Sequence, residues 1–284
     1  MSSLYVTATE FTNWPTGLDL QNLIPGGTTQ ENAAQLAVMV QAASQFVEQI
    51  VYQRLYACQD TETKRVRPQP DGTLLVVTDQ FPITEIGGVP AYLAPQWRWG
   101  SYAPWMQPPS GQVTVTGPRT YVLDDRYYAT PLASQPLTVM TTYVHGWPNA
   151  LLTSSATQGA TTLQVDDATG MQAGQTVGAL TLPGTSLTVY DIEGGQETVT
   201  VASVSGNSVT LAAGTLYAHA AGVRISALPF AVSEAAIHLC EWQIKGRRAG
   251  GGISMDGTLQ PMQLGEAEDV QNAMRLLRPY KRVI

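Results

Sequence analysis

The side chains most able to do chemistry in this sequence are three histidines (His145, His219, His238) and two cysteines (Cys58, Cys240). A zinc centre needs three or four clustered ligands, and these residues are scattered along the chain. The cysteines read as small buried residues rather than a disulfide pair. There is no G-x-S-x-G elbow, no phosphate-binding glycine loop and no C-x-x-C pair. Asp166-Asp167 before Ala168-Thr169-Gly170 gives half of a calcium loop, but no further acids follow at ligand spacing, so it reads as turn capping. Asp124-Asp125 reads the same way. His145 stands at a strand end before Gly146-Trp147, a position for a structural hydrogen bond rather than a general base. The chain is expected to be no enzyme, with no catalytic residue, cofactor or metal ligand.

Two other groups could act by contact. Trp97, Trp99, Tyr102 and Trp105 fall among prolines in residues 90–111, which reads as an interface loop anchored by aromatic rings. A carbohydrate-stacking platform is the rival reading. The second group is cationic: Arg275, Arg278, Lys281 and Arg282 follow one another with no acid between them. The body is acidic, with a net charge of −7 overall, six acids against one base in residues 1–62, and five against one in residues 151–228. That balance argues against tight nucleic-acid binding, which needs clustered cations to neutralise phosphates. Charged residues are only 13% and hydrophobic residues 44% of the chain. This suits β-structure, long loops and protein–protein surfaces. No window approaches 18 uninterrupted apolar residues, so no membrane span is expected. The first residues lack the basic and apolar regions of a secretory signal.

At 284 residues the chain suggests about two domains. Thr28 and Glu31 have capping-box spacing and open a helix over Thr29 to about Tyr56. Its apolar stripe is Ala33, Leu36, Ala37, Val40, Ala43, Val47, Ile50, Val51 and Leu55, with Gln35, Gln41, Gln45, Gln49 and Gln53 off the stripe. Thr7 and Glu10 repeat the spacing for a short helix stopped by Pro15-Thr16-Gly17. From Thr61 the pattern turns to short strands: 64–67, 74–78, 83–89, 113–116, 120–123 and 137–144. A second strand group lies in 161–165, 176–182, 186–192, 197–204, 208–211 and 223–225, with Gly206-Asn207 as a hairpin turn. Pro229 opens a helix to about Arg248, residues 249–252 form a loop, and a last helix runs from Glu266 to Pro279. Beyond Pro279 an extended tail is expected. Without residues 150–227, a strand ending at Asn149 would run directly into the helix at Pro229. That is the pattern of a domain inserted into a loop.

The frame carries "FPITEIGGV", a strand ending "TTYVHGWP", the helix "LPFAVSEAAIHLCEWQIKGRR" and the close "AMRLLRPYKRV". Together these resemble the head-to-tail adaptor (connector) proteins of long-tailed bacteriophages. The stretches "TTLQVDDATGMQAGQTV" and "ETVTVASVSGNSVTLAAGTLYAHAAG" resemble small β-modules embedded in phage virion proteins. The resemblance implies an α+β fold: a discontinuous helical adaptor frame (1–149 and 228–284) with a small antiparallel β region and an inserted all-β domain (150–227). It further implies a structural virion protein at the head–tail interface, assembled in the host cytoplasm. Such a protein forms a dodecameric ring below the portal and extends the channel through which double-stranded DNA passes, without sequence-specific binding. The portal protein and a tail-side connector or tail-terminator protein would be its partners. Arg275, Arg278, Tyr280, Lys281, Arg282, Val283 and Ile284 would dock on the portal. Typical adaptors lack the insert, so no role carries over to it. The alternatives are a carbohydrate-binding or adhesin module, or a tail-completion or neck protein one tier lower.

Overall fold

The computed structural model describes residues 4–99, 103–108, 113–124, 137–248 and 268–282. Tyr102, residues 249–252, Glu266, Val283 and Ile284 lie outside them. Among the described residues the fold is α+β, with four α-helices and antiparallel sheets.

The helices share one core. Helix α1 (Ala8–Asn13) and helix α2 (Thr29–Val51) both begin with capping boxes, Thr7 with Glu10 and Thr28 with Glu31. In each, the threonine hydroxyl and the glutamate carboxylate satisfy amides that the first turn leaves free. Leu36, Met39, Val40, Ala43, Val47 and Val51 of α2 are buried against two later helices, α3 (Phe230–Arg248) and α4 (Glu268–Leu277). Those supply Val232, Ala235, Leu239, Val270, Ala273 and Leu277. Burying a valine or leucine side chain stabilises by about 1.5–3 kcal/mol, so this period-3.6 stripe dominates the local energetics. Ala33 and Ala37, expected on that stripe, are exposed instead.

Helix α2 stops a turn earlier than the expected Tyr56. Tyr52 turns left-handed at φ 58°, and the chain leaves to bond elsewhere. Trp147 N–H donates to the Leu55 carbonyl at 2.9 Å and Ala57 N–H to the Trp147 carbonyl at 2.7 Å. Gly146 makes that crossing possible, since a Cβ there would lie 2.5 Å from the Tyr56 carbonyl oxygen.

The first β region contains strands β1 (Cys58–Val66), β2 (Leu74–Val77), β3 (Glu85–Ile86), β4 (Val89–Pro90), β5 (Leu93–Trp99), β6 (Val113–Gly117), β7 (Thr120–Leu123) and β8 (Leu137–His145). They form two three-stranded sheets, β1-β8-β5 and β2-β7-β6, and a hairpin β3-β4. That hairpin divides what had read as one strand over 83–89. Its turn is Gly87-Gly88, with both φ positive, as a two-residue turn between twisted strands requires. The core holds Leu74, Val76, Trp97, Tyr121, Val139 and Tyr143. β8 ends at His145, one residue past the expected 137–144, and Asn149, expected to close this strand, opens the next one.

The second β region adds β9 (Asn149–Leu151), β10 (Thr162–Gln164), β11 (Gln175–Val177), β12 (Leu180–Leu182), β13 (Ser186–Tyr190), β14 (Glu197–Ser205), β15 (Ser208–Leu211) and β16 (Arg224–Ser226). One six-stranded sheet runs β10-β15-β14-β13-β16-β9, with β11-β12 as a separate hairpin where a single strand had been expected. Its core is aliphatic, drawn from Ala150 to Ile225. The chain enters on β9 and leaves on β16, which pair directly, Asn149 opposite Ser226. Among the described residues no helix is long and apolar enough to cross a membrane.

Candidate functional site

Of the aromatic group, the side chains of Trp97 and Trp105 are described, and Trp97 is not on the surface. Trp97 belongs to β5, opposite Val139 of β8, and is only 1% exposed. It is a core residue, which corrects its reading as an interface anchor. The strand went unseen because Pro95 and the dense aromatics of 90–111 look like a loop. Pairing of β5 with β8 from Leu93 to Trp99 outweighs that local signal. Trp105 is half-buried, with the Arg98 guanidinium 4.4 Å from its ring centre, a cation–π contact. Trp99 closes β5 opposite Leu137.

The basic end is folded onto the body. After α4 the chain makes a 3-10 turn over Arg278–Tyr280, and the extended backbone expected beyond Pro279 begins one residue later, at Lys281. The Tyr280 ring meets Trp147 edge-on at 5.5 Å. The Tyr280 carbonyl accepts from the Gln53 amide at 2.8 Å, and Arg282 N–H donates to the Val51 carbonyl at 2.8 Å. Gln53, expected on the polar side of α2, is therefore buried beyond the helix end, and its amide oxygen also accepts from Phe81 N–H. Arg282 lies 3.5 Å from Asp79. A hydrogen bond from Lys64, helped by Arg282, holds the Asp79 carboxyl below its usual range. Arg275, Arg278 and Lys281 are exposed, and among the described residues Arg275 and Arg278 make no ion pair.

A third group emerges where β1 begins and β8 ends. The antiparallel register sets Cys58 opposite His145, and Asp60 two residues along β1 points to the same face. His145 Nε2 lies 3.3 Å from the Cys58 sulfur and 2.9 Å from Asp60 Oδ2. The imidazole is fully buried, whereas the Asp60 side chain is 42% exposed. Beside it lies an open recess of about 570 Å³, lined by Gln45, Glu48, Gln53, Arg54, Asp60 and Gln80. Burial, reinforced by Asp60, pushes the Cys58 thiol up to about 11. Burial also lowers the His145 pKa, against the pull of Asp60. A thiol so raised is a poor nucleophile at neutral pH. The carboxylate shares Nε2 with the thiol instead of steadying the other ring nitrogen, so the relay of a triad is missing. Sequence reading missed this cluster because Cys58 and His145 are 87 positions apart. Only strand register brings them together.

Comparison with protein-family models and with curated proteins gives no match.

Two further polar clusters hold the fold together. His238, Glu241 and Asp269 converge where α3 meets α4, but Lys245 already supplies the cation there, 2.8 Å from Asp269 and 3.6 Å from Glu241. In the second β region His219 is clasped between two carboxylates, Nδ1 3.1 Å from Asp191 and Nε2 2.6 Å from Glu197. Burial would raise both acids, yet backbone N–H donors and His219 outweigh it and hold both below their usual range. The joint to the helices is also ionic. Arg224 is 1% exposed, its Nη2 is 2.7 Å from Glu10, and its guanidinium also reaches Asn149, Ser233 and the Tyr190 ring.

Proposed function

We propose that the chain is a structural virion protein. It forms a closed ring below the portal, joins the phage head to the tail and extends the DNA channel through which the genome is ejected. The observation that carries the reading is the outward face of α2. Ala33, Ala34, Ala37, Val38, Gln41 and Gln45 are exposed there, Val38 at 58%. Glu31 and Glu48 are the only charged residues between Thr29 and Gln53. A 23-residue helix spans about 35 Å. One with small, uncharged outward residues suits side-by-side packing of copies in a cyclic assembly.

The acidic balance supports a channel wall that gives phosphates no resting place. The exposed Arg275, Arg278 and Lys281 suit an encounter with an acidic portal surface. The burial of Trp97 works against the carbohydrate-binding alternative by removing a ring from the supposed platform.

The test is the mass of the purified chain, alone and mixed with portal rings from the same virion. A monomer alone and a ring-sized addition on the portal are expected. Val38→Glu should abolish that addition while the melting temperature stays within about 1 °C. Absence of co-sedimentation, or rings unaffected by Val38→Glu, would overturn the reading.

A further inference from the structure

The β1–β8 cluster has a problem of hydrogen-bond valence. A neutral imidazole nitrogen has one in-plane position, either an N–H or a lone pair. If His145 Nε2 carries the proton, it donates to Asp60, and the Cys58 sulfur is left to its contact with Arg54. If it is bare, it accepts from the thiol but sets its lone pair against a carboxylate oxygen 2.9 Å away. Protonating both ring nitrogens does not help, because Nδ1 is buried with no hydrogen-bond partner among the described residues. In every state the buried Nδ1 has no partner among the described residues, and an unpaired polar group in the interior costs about 1–3 kcal/mol.

The geometry points to a binding site for a soft divalent cation, Zn²⁺ or its surrogate Co²⁺, held by Cys58 Sγ, Asp60 Oδ2 and His145 Nε2. These three atoms all lie within 4.8 Å of one another, as the ligands of one tetrahedral ion must. A single cation accepts a lone pair from each at once and relieves Nε2, with the ring proton placed on Nδ1, which has no acceptor among the described residues. Thiolate, imidazole and carboxylate together select zinc over magnesium or calcium, which prefer all-oxygen shells. The charges close as well. A cation with the Cys58 thiolate and Asp60 is neutral, and the nearby Arg54 and Glu48 offset one another.

The recess beside Asp60 leaves the fourth position to water. Binding displaces the thiol proton to solvent. The donors are fixed in advance, because two are neighbours on one face of β1 and the third is the cross-strand partner of Cys58. The ion would staple the two strands where the chain arrives from α2 and departs for the second β region. This inference is independent of the proposed ring.

The experiment uses the full chain, stripped with a chelator and titrated with Co²⁺. One Co²⁺ per chain is expected, with a thiolate-to-cobalt charge-transfer absorption that Zn²⁺ displaces. Added Zn²⁺ should raise the melting temperature, since only the folded state gathers the three donors and binds it more tightly than the unfolded chain does. Cys58→Ala should lose the absorption, whereas Cys240→Ala should keep it. Asp60→Asn changes a part-exposed side chain and keeps the fold. It should lose more affinity than the ~10–100-fold typical of an outer-shell partner. Metal-free melting of each variant separates a lost ligand from a lost fold. No charge-transfer band in the unsubstituted chain, an undiminished band in Cys58→Ala, or unchanged affinity in Asp60→Asn would overturn the site.

Discussion

The two β regions bury different chemistry. The first packs Trp97, Tyr121 and Tyr143 among aliphatic residues, and each tyrosine hydroxyl must find a partner inside. Tyr121 bonds to Thr141, and Tyr143 accepts from Gln80 N–H at 3.2 Å. Burial raises both hydroxyl pKa values. The second region has a core of Ala, Val, Leu, Ile and Met with no aromatic ring. Such a core makes no directional demands and can be closed by a meander of short strands. Its charges are placed outside that core, in the His219 clasp and at the Arg224 joint. The aromatic core thus requires partners for single hydroxyls inside it, whereas the aliphatic region buries its charges beside the core as mutually paired groups, His219 with Asp191 and Glu197, and Arg224 with Glu10.

The largest expected effect tests whether the second region is independent of the helices. Arg224→Ala leaves Glu10, itself 6% exposed, buried without its cation. That should cost about 3–5 kcal/mol in chemical denaturation. Adding Glu10→Gln should recover part of the loss. For the same reason, replacing residues 150–227 by a short Gly/Ser linker should destabilise the helices unless Glu10 is neutralised as well. If the deletion alone melts like the full chain, the joint is not part of the frame's stability.

Next comes a pair of core truncations, one in each region. Trp97→Ala should cost about 3–5 kcal/mol and Leu187→Ala about 2–5 kcal/mol. Proteolysis should show the first opening residues 58–145 and the second opening residues 150–226. Were Trp97 an interface anchor, its loss would leave stability intact and weaken only assembly. Acid should separate the regions in order. Burial lowers the His145 pKa, so the unfolded chain takes up a proton first, and stability falls as pH drops below about 6.5. The Asp191 and Glu197 pKa values are depressed in the fold. Their contribution is full above the ordinary carboxyl value of about 4 and is lost as pH falls below it. Near-ultraviolet circular dichroism from the aromatic-rich first region should therefore change before the strand signal of the second. The reverse order would refute the assignment.

These differences also explain what could be read in advance. The starts of α1 and α2 were legible because Thr7/Glu10 and Thr28/Glu31 are local signals. The end of α2 was not, since Tyr52 turns there to meet bonds between Leu55, Ala57 and Trp147. In the second region the Val/Thr runs and Gly206-Asn207 marked strands β13 to β15 well, because an aliphatic meander obeys local rules. Strand β9 is three residues long and carries no period. Strand β5 was hidden by Pro95 and its tryptophans, and the β1–β8 cluster by a register that no single segment encodes.

The smallest expected effects concern the chain's basic end, where Arg282 near the surface ties the helices to the first β region. Arg282 and Asp79 are part-exposed at 28% and 42%, and such pairs contribute about 0–1 kcal/mol. Arg282→Ala keeps the backbone bond to Val51 and should change stability by no more than that. Tyr280→Ala removes the ring packed on Trp147 and should cost more, about 1–2 kcal/mol from lost apolar area. Arg275→Ala and Arg278→Ala, on exposed cations, should not alter the melting curve. They should slow attachment to portal rings at low salt, with the difference fading as ionic strength rises, because long-range attraction is screened within about 10 Å at 0.1 M salt. If Arg275→Ala and Arg278→Ala attach as fast as the unsubstituted chain at every salt concentration, the exposed cations do not steer the encounter. If Tyr280→Ala melts unchanged, the terminal turn is no part of the fold's support.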